Sequence, residues 1–281
     1  MVKISKTPNL YEYHEVRWYQ QANSHILTGY LRDQTTEECL WNFSRISNQL
    51  VNIWTHILAL VYVIFEMTND IFYIIPSLGG NKADKLVFAV FYLALVFCLL
   101  SSVAHHSFNS HYLQKFAVAC FTVDWSSCCL VVCFCYALNT FCLFRKNPFW
   151  LLFYMTGFSA LSLWYLYFNL TCSGLKHTKF RVKLSISVIF VCTLPLGHCL
   201  YLADAELSQI IKGVYANNLF WKVFSGGIYL VHFPERIWPV RFDLCGHSHN
   251  LWHVLCVCGI LQWKYSALEF LEYIYKCSEV I

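Results

Sequence analysis

Three histidines and an aspartate stand in apolar surroundings: His106, His249, His253 and Asp124, with Ser102 one helical turn before His106. Residues four apart stack on one face of a helix, so Ser102 lies under His106, and the imidazoles of His249 and His253 can meet one ion. An ionisable side chain inside a membrane span is a functional-site candidate by default. Three histidines are also the protein half of an open zinc site, which keeps one position for water. Bound Zn2+ lowers the pKa of that water to about 7, so hydroxide becomes available at neutral pH. His106, His249 and His253 are the candidate metal ligands. Asp124 would bind the water or act as its base, and Ser102 would hydrogen-bond the water or a substrate oxygen. A lone histidine at a span end needs no such role, because polar groups are tolerated at headgroup depth. His105, His111, His177, His198, His232 and His247 are read that way. The chosen three differ because they converge with a buried acid at one depth.

The elements that must position them are apolar runs. A helix crossing a bilayer needs about 20 mostly apolar residues. Seven such runs are predicted, at 50–68, 85–108, 117–143, 149–170, 184–203, 214–233 and 249–272. The RKNP turn at Arg145–Pro148 separates the third from the fourth. Pro195 and Gly197 should kink the fifth and free a backbone carbonyl. The sixth is the weakest, since it holds Asn217, Asn218 and Lys222. Lys and Arg set orientation. With the N-terminus in the cytosol, twelve of the 20 basic residues fall on cytosolic segments, with a dense run at Lys176–Lys183. The fold predicted is therefore all-α, an integral membrane protein of seven helices, N-terminus cytosolic and C-terminus extracellular or lumenal. Residues 1–45 form a cytosolic segment, 46–275 the membrane domain and 276–281 a short tail. His106 ends the second span, Asp124 begins the third, and His249 and His253 open the seventh. All four meet at the cytosolic end. Asn52 and His56 begin the first span on the same side.

Composition agrees. The chain is 58% hydrophobic and 13% charged, with a mean hydropathy of +0.47. A soluble protein is about a quarter charged. The net charge of +4 is small and dispersed, which gives no case for nucleic acid. Most of the 15 cysteines lie inside apolar runs, without CxxC spacing, and read as small packing residues. Cys39 and Cys277 flank the membrane domain and are candidates for lipidation. The N-terminal twenty residues have no continuous apolar core, so they do not read as a signal peptide. Two glycosylation sequons, Asn42-Phe-Ser and Asn169-Leu-Thr, fall on or near the cytosolic face in this topology and should stay unmodified.

The chain resembles the progestin and adipoQ receptor family from about Leu27 onward. The matching pieces are LTGYL (27–31), SNQLVNIWTHIL (47–58), SSVAHHSFNSH (101–111), TVDWSS (122–127), PERIWP (234–239) and SHNLWHVL (248–255). Within the family it looks most like the Golgi-resident, Raf-kinase-trapping member, then the adiponectin receptors. The resemblance implies a seven-helix receptor-like fold with a cytosolic N-terminus and zinc near the cytosolic face. The family's histidine ligands match His106, His249 and His253, its acid matches Asp124 and its serine Ser102. The adiponectin receptors are similar to ceramide hydrolases. Two positions depart from the pattern. Gln49 stands where the family usually has Glu after Asn48, and Val240 where it often has Gly; neither is expected to touch the zinc set.

Three functions follow as expectations: a signalling receptor with a zinc site, a zinc-dependent amidase for ceramide or a related membrane amphiphile, and a Golgi scaffold. The scaffold would hold a cytosolic signalling protein of the Raf-kinase type through residues 1–45. An amphipathic helix at 11–21 would favour the scaffold. Both Golgi and plasma membrane fit the sequence.

Overall fold

The computed structural model describes residues 9–171 and 178–279. Among them there is no strand, only isolated bridges pairing Tyr11 with Tyr30 and Gln34 with His111. The helices are α1 (Thr36–Leu40), α2 (Leu50–Asn69), α3 (Lys82–Phe108), α4 (Gln114–Phe144), α5 (Pro148–Thr171), α6 (Thr178–Cys192), α7 (Leu194–Leu202), α8 (Ala205–Val231) and α9 (Ser248–Glu279). In lipid no water can satisfy the backbone, so apolar runs of this length close their own hydrogen bonds as helices.

Among the described residues, six stretches are long and apolar enough to cross a membrane: Leu50–Ser77, Lys82–Phe108, Gln114–Phe144, Pro148–Thr171, Phe180–Leu202 and Ser248–Cys277. The chain is a multi-pass membrane protein. The first stretch outruns its predicted end because α2 continues through a π-helical turn at Asp70–Ile74 to Ser77. The sixth predicted span differs more. With 27 residues α8 is about 40 Å long, enough to cross, but Lys212, Asn217, Asn218 and Lys222 leave it less apolar than the other six. The predicted kink is present. The helix breaks at Thr193 before Pro195, and the Thr193 carbonyl accepts a hydrogen bond from the Tyr215 hydroxyl at 2.9 Å.

Local signals set the helix ends. Pro148 opens α5, where its missing N–H costs nothing. Asn81 Oδ1 accepts from the Ala83 and Asp84 amides, and Asp84 accepts back from the Asn81 amide at 2.7 Å, fixing the start of α3. Asp204 caps α8 through the Leu207 amide at 2.8 Å.

By its contacts the chain forms two compact units. One comprises Met1–Leu60, Leu99–Asp124 and Val223–Cys256; the other comprises Val61–Cys98, Trp125–Lys222 and Val257–Ile281. In the first, residues 11–21 form two 3-10 turns, Tyr13–Glu15 and Trp18–Gln20, neither the amphipathic helix nor the solvated tail that the sequence allowed. The segment is pinned from outside itself. Tyr11 and Tyr30 exchange backbone hydrogen bonds, Tyr19 donates to the His111 carbonyl, and Val16, Ile26 and Tyr30 form a small core. Gly29, within the LTGYL stretch, has φ +85, and a Cβ there would stand 2.5 Å from Leu244 Cδ2. Only glycine fits both demands.

In the second unit, buried charges have charged and hydroxyl partners. Lys264 Nζ lies 2.6 Å from Glu66 Oε2 and 3.3 Å from Asp70 Oδ2, with the Tyr92 hydroxyl on Asp70 at 2.5 Å and the Tyr265 hydroxyl on Glu66 at 3.2 Å. These partners explain how the helix carries the buried Asp70 past residue 68. Asp84 receives Arg145 and Tyr275, each at 2.7 Å. Among the described residues the cysteines are free thiols, as packing residues should be. Cys39 has no exposed surface, which removes it as a lipidation site. Asn42 and Asn169 are also buried, their amides donating to Gln34 and Ser126 respectively. The basic run at Lys176–Lys183 lies partly outside the described residues.

Candidate metal centre

The first unit brings His106, His249 and His253 together. His106 is near the end of α3, while His249 and His253 share a face of the first turns of α9. Their Nε2 atoms form a triangle: 3.2 Å from His106 to His253, 3.4 Å from His249 to His106, and 3.1 Å from His253 to His249. His106 and His253 are buried, and His249 nearly so.

Protons alone cannot satisfy this triangle. A neutral imidazole nitrogen either donates or accepts, and three mutual neighbours cannot alternate the two roles. The surrounding hydrogen bonds sharpen the conflict. His106 Nδ1 faces Gln49 Oε1 at 2.7 Å, and that oxygen already accepts from Asn52 Nδ2 at 3.1 Å. An oxygen can only accept, so Nδ1 of His106 carries the proton and Nε2 is bare. His253 Nδ1 faces Thr55 Oγ1 at 3.3 Å, and the single proton of that hydroxyl goes to the Asn52 carbonyl at 2.9 Å. Nδ1 of His253 is again the donor. Two lone pairs then face each other across 3.2 Å in a dry site. A cation among the three nitrogens removes the repulsion, and second-shell acceptors on Nδ1 are what a metal-ligating histidine requires. The residues present fit a divalent metal.

The support reaches further. Asn52 Oδ1 accepts from Asn250 Nδ2 at 2.7 Å, and Asn250 Oδ1 accepts from the Gly246 amide at 2.8 Å. A chain of neutral amides thus runs from His106 through Gln49 and Asn52 to Asn250, between His249 and His253 in sequence. His56 stacks on His253 with ring centroids 3.9 Å apart. Glu235, from the PERIWP stretch, has no exposed surface and caps α9: it accepts from the Ser248 amide at 2.7 Å, from the Ser248 hydroxyl, and from Asn23 Nδ2 at 2.8 Å. Burial pushes its carboxyl up, but the Ser248 and Asn23 bonds outweigh this and hold it below the ordinary glutamate value. The helix carrying two of the three histidines is therefore aimed by an anion.

Asp124 and Ser102 are hydrogen-bonded to each other. Asp124 does not join the triangle. Its carboxylate groups instead with His105 and His106, ligand atoms within 4.8 Å of one another. His105, read from the sequence as an unremarkable span-end residue, is thus a neighbour of the acid, with its ring 4.8 Å from that of His106. His247 points away, its Nε2 3.2 Å from the Asn48 carbonyl. Gln49 is the largest surprise: the substitution expected not to touch the zinc set bonds a ligand directly. The sequence signal for it was the SNQLVN stretch itself, polar residues at the mouth of an apolar run.

Comparison with known proteins places this arrangement. A family model described as haemolysin-III related matches residues 44–263. The chain belongs to that family. Its relatives include heptahelical transmembrane protein 1 of Arabidopsis thaliana, 26% identical over 96% of this chain and 84% of that protein. Progestin and adipoQ receptor family member 3 of Mus musculus is 24% identical, covering 97% and 89%. The ADIPOR-like receptor IZH2 of Saccharomyces cerevisiae is 27% identical, covering 90% and 81%. The expected progestin and adipoQ receptor resemblance holds along nearly the whole chain. His106, His249 and His253 all lie within the matched residues 44–263.

Proposed function

We propose that this member of the haemolysin-III-related family is a receptor-like membrane protein whose working centre is Zn2+ held by His106, His249 and His253. The single observation that carries the reading is the triangle of Nε2 atoms at 3.1–3.4 Å with its Nδ1 atoms tied to acceptors. Two ligands about 2.0–2.1 Å from a tetrahedral zinc stand about 3.3–3.4 Å apart, which is the spacing here. Three nitrogens and no thiolate suit zinc better than softer ions. In this reading α8 is the seventh span, the N-terminus is cytosolic, and the centre lies at the cytosolic face in Golgi or plasma membrane. The receptor role follows the names of the relatives. The test is metal analysis of the purified protein: about one zinc per chain is expected, lost in His106→Ala/His253→Ala.

A second reading, amide hydrolysis on a ceramide-like lipid, is favoured by the Asp124–Ser102 pair. A buried carboxylate inside a span is costly, and here it stands beside the centre without completing the triangle. Zinc in such a site supplies Lewis acidity toward a carbonyl and an acidified water. Asp124 accepts the proton, and the Ser102 hydroxyl orients the carboxylate. Release of fatty acid from ceramide by zinc-loaded protein, absent in Asp124→Asn, is the deciding measurement. In the scaffold reading residues 1–45 hold the cytosolic partner, and within them residues 11–21 form two 3-10 turns.

A further inference from the structure

The second compact unit holds a cavity of about 590 Å³ between α4, α7, α8 and α9, a size typical of small-molecule sites. Its walls are largely apolar, with Leu196, Leu200 and Leu219 among them, and Leu219 is 62% exposed at its rim. None of its lining residues belongs to the metal centre.

Two polar residues at this cavity have unmet needs. Lys222 projects from the middle of α8 and hydrogen-bonds the Tyr136 hydroxyl; its Nζ lies 4.7 Å from the Tyr136 ring centroid and 5.2 Å from that of Trp263. These partners are neutral, and among the described residues no carboxylate forms an ion pair with it, unlike Lys264. An ammonium donates three hydrogen bonds, and one is used. Asn218 lies one turn earlier, on the same face. It is 4% exposed, and both its amide oxygen and its amide nitrogen are buried without a partner. Left unpaired, the buried amide costs about 1–3 kcal/mol; Lys222 is half-buried, and among the described residues its charge lines the cavity without a carboxylate partner.

We propose that this cavity binds a single-chain lipid whose acidic head carries a neighbouring hydroxyl. The acid accepts from Lys222 Nζ and Asn218 Nδ2, the hydroxyl donates to Asn218 Oδ1, and the acyl chain lies along the leucines. A neutral head would leave the ammonium uncompensated, and an acid without a hydroxyl would leave Asn218 Oδ1 unmet. The family's receptor role does not enter this reasoning, so the inference stands or falls apart from the metal centre.

The test uses the full chain in phosphatidylcholine nanodiscs, with binding measured by native mass spectrometry. The probes are oleoyl lysophosphatidate and 2-hydroxyoleate, which share acid and hydroxyl but differ in acid, against oleate and oleoyl lysophosphatidylcholine. At least one of the first two should bind one per chain and at least tenfold more tightly than lysophosphatidylcholine, with oleate between; whichever leads identifies the acid as phosphate or carboxylate. Lys222→Met should abolish the preference for acidic heads, Lys222→Arg should keep it, and Asn218→Leu should bring the hydroxylated probe down to the level of oleate. Equal binding of all four probes, or an undiminished preference in Lys222→Met, overturns the proposal. If Lys222→Met does not fold, the order of the four probes on the unaltered chain decides alone.

Discussion

Replacing Gln49 with leucine tests the proposed metal centre without touching a ligand. Gln49 Oε1 is the acceptor for His106 Nδ1 at 2.7 Å, and the site is dry, so water does not replace it freely. Gln49→Leu leaves the Nδ1–H of His106 unpaired, at a cost of about 1–3 kcal/mol. It also releases the tautomer: the proton can move to Nε2 and cancel one ligand. Loss of such an outer-shell partner lowers metal affinity by about 10–100-fold, which is about 1.4–2.7 kcal/mol and agrees with the first figure. Gln49→Glu should act in the opposite direction, since a bond to an ionised acceptor is about twice as strong as a neutral one and the carboxylate faces a dication. A tightening of about tenfold is expected. The assay is competition for zinc against a chromophoric chelator, in detergent at constant pH, with zinc per chain counted by elemental analysis. If Gln49→Leu binds zinc within twofold of the unaltered protein, the tautomer reasoning is wrong and Gln49 merely fills space.

Four further outcomes are expected. His253→Ala or His249→Ala should weaken zinc by more than about 100-fold, beyond what outer partners carry, while His247→Ala, whose ring faces the Asn48 carbonyl, should retain zinc in the same chelator assay. Asp124→Asn should keep zinc but abolish any fatty-acid release from ceramide measured by mass spectrometry, and Ser102→Ala should reduce release less. Glu235→Gln should lower thermal stability at neutral pH by about 1.5–3 kcal/mol, the scale of hydrogen bonds to a charged group; because the folded carboxyl is held below its ordinary value, its contribution is present above the unfolded pKa and lost as pH falls through the folded one, so the gap in Tm should close toward acid pH. Val240 has φ +69 and is 55% exposed, so Val240→Gly should raise stability by about 1 kcal/mol in a thermal melt, relieving a left-handed backbone that a β-branched residue adopts only under strain.

What was legible in the sequence follows what hydropathy and spacing encode. The spans were visible because apolar runs force helices in lipid, and the kink because Pro195 cannot donate. The triangle was visible because HxxxH puts His249 and His253 on one face and His106 ends a separate run. The end of the first span was misread because hydropathy assigns Asp70 its full cost, while in the fold Lys264 and Tyr92 meet it. Residues 11–21 stayed open between a helix and a solvated tail because their period is ambiguous, and the pairing of Tyr11 with Tyr30 is not local. Gln49 and His105 were missed because a neutral amide at a span mouth, and a histidine beside another histidine, look the same whether or not they face a centre.

The buried polar groups of this chain divide by whether their donors and acceptors balance. Around Lys264 they do: one ammonium meets two carboxylates, and each carboxylate also accepts a tyrosine hydroxyl. Such a set is complete, and its worth is to hold helices in register. Around His106, His249 and His253 they do not, because three mutually adjacent nitrogens cannot be satisfied by protons and two of them are bare by the bonds on their far sides. Around Lys222 and Asn218 they do not either, because all four hydrogen-bonding needs of an amide and two of an ammonium go unmet. Leaving such groups unpaired is expensive in a low-dielectric interior. A fold that keeps an unbalanced set buried therefore implies a partner that the chain itself does not supply. Bare nitrogens accept and cannot donate, so the partner proposed for the histidines is a cation. For Lys222 it must be an acid, since an ammonium donates and cannot accept.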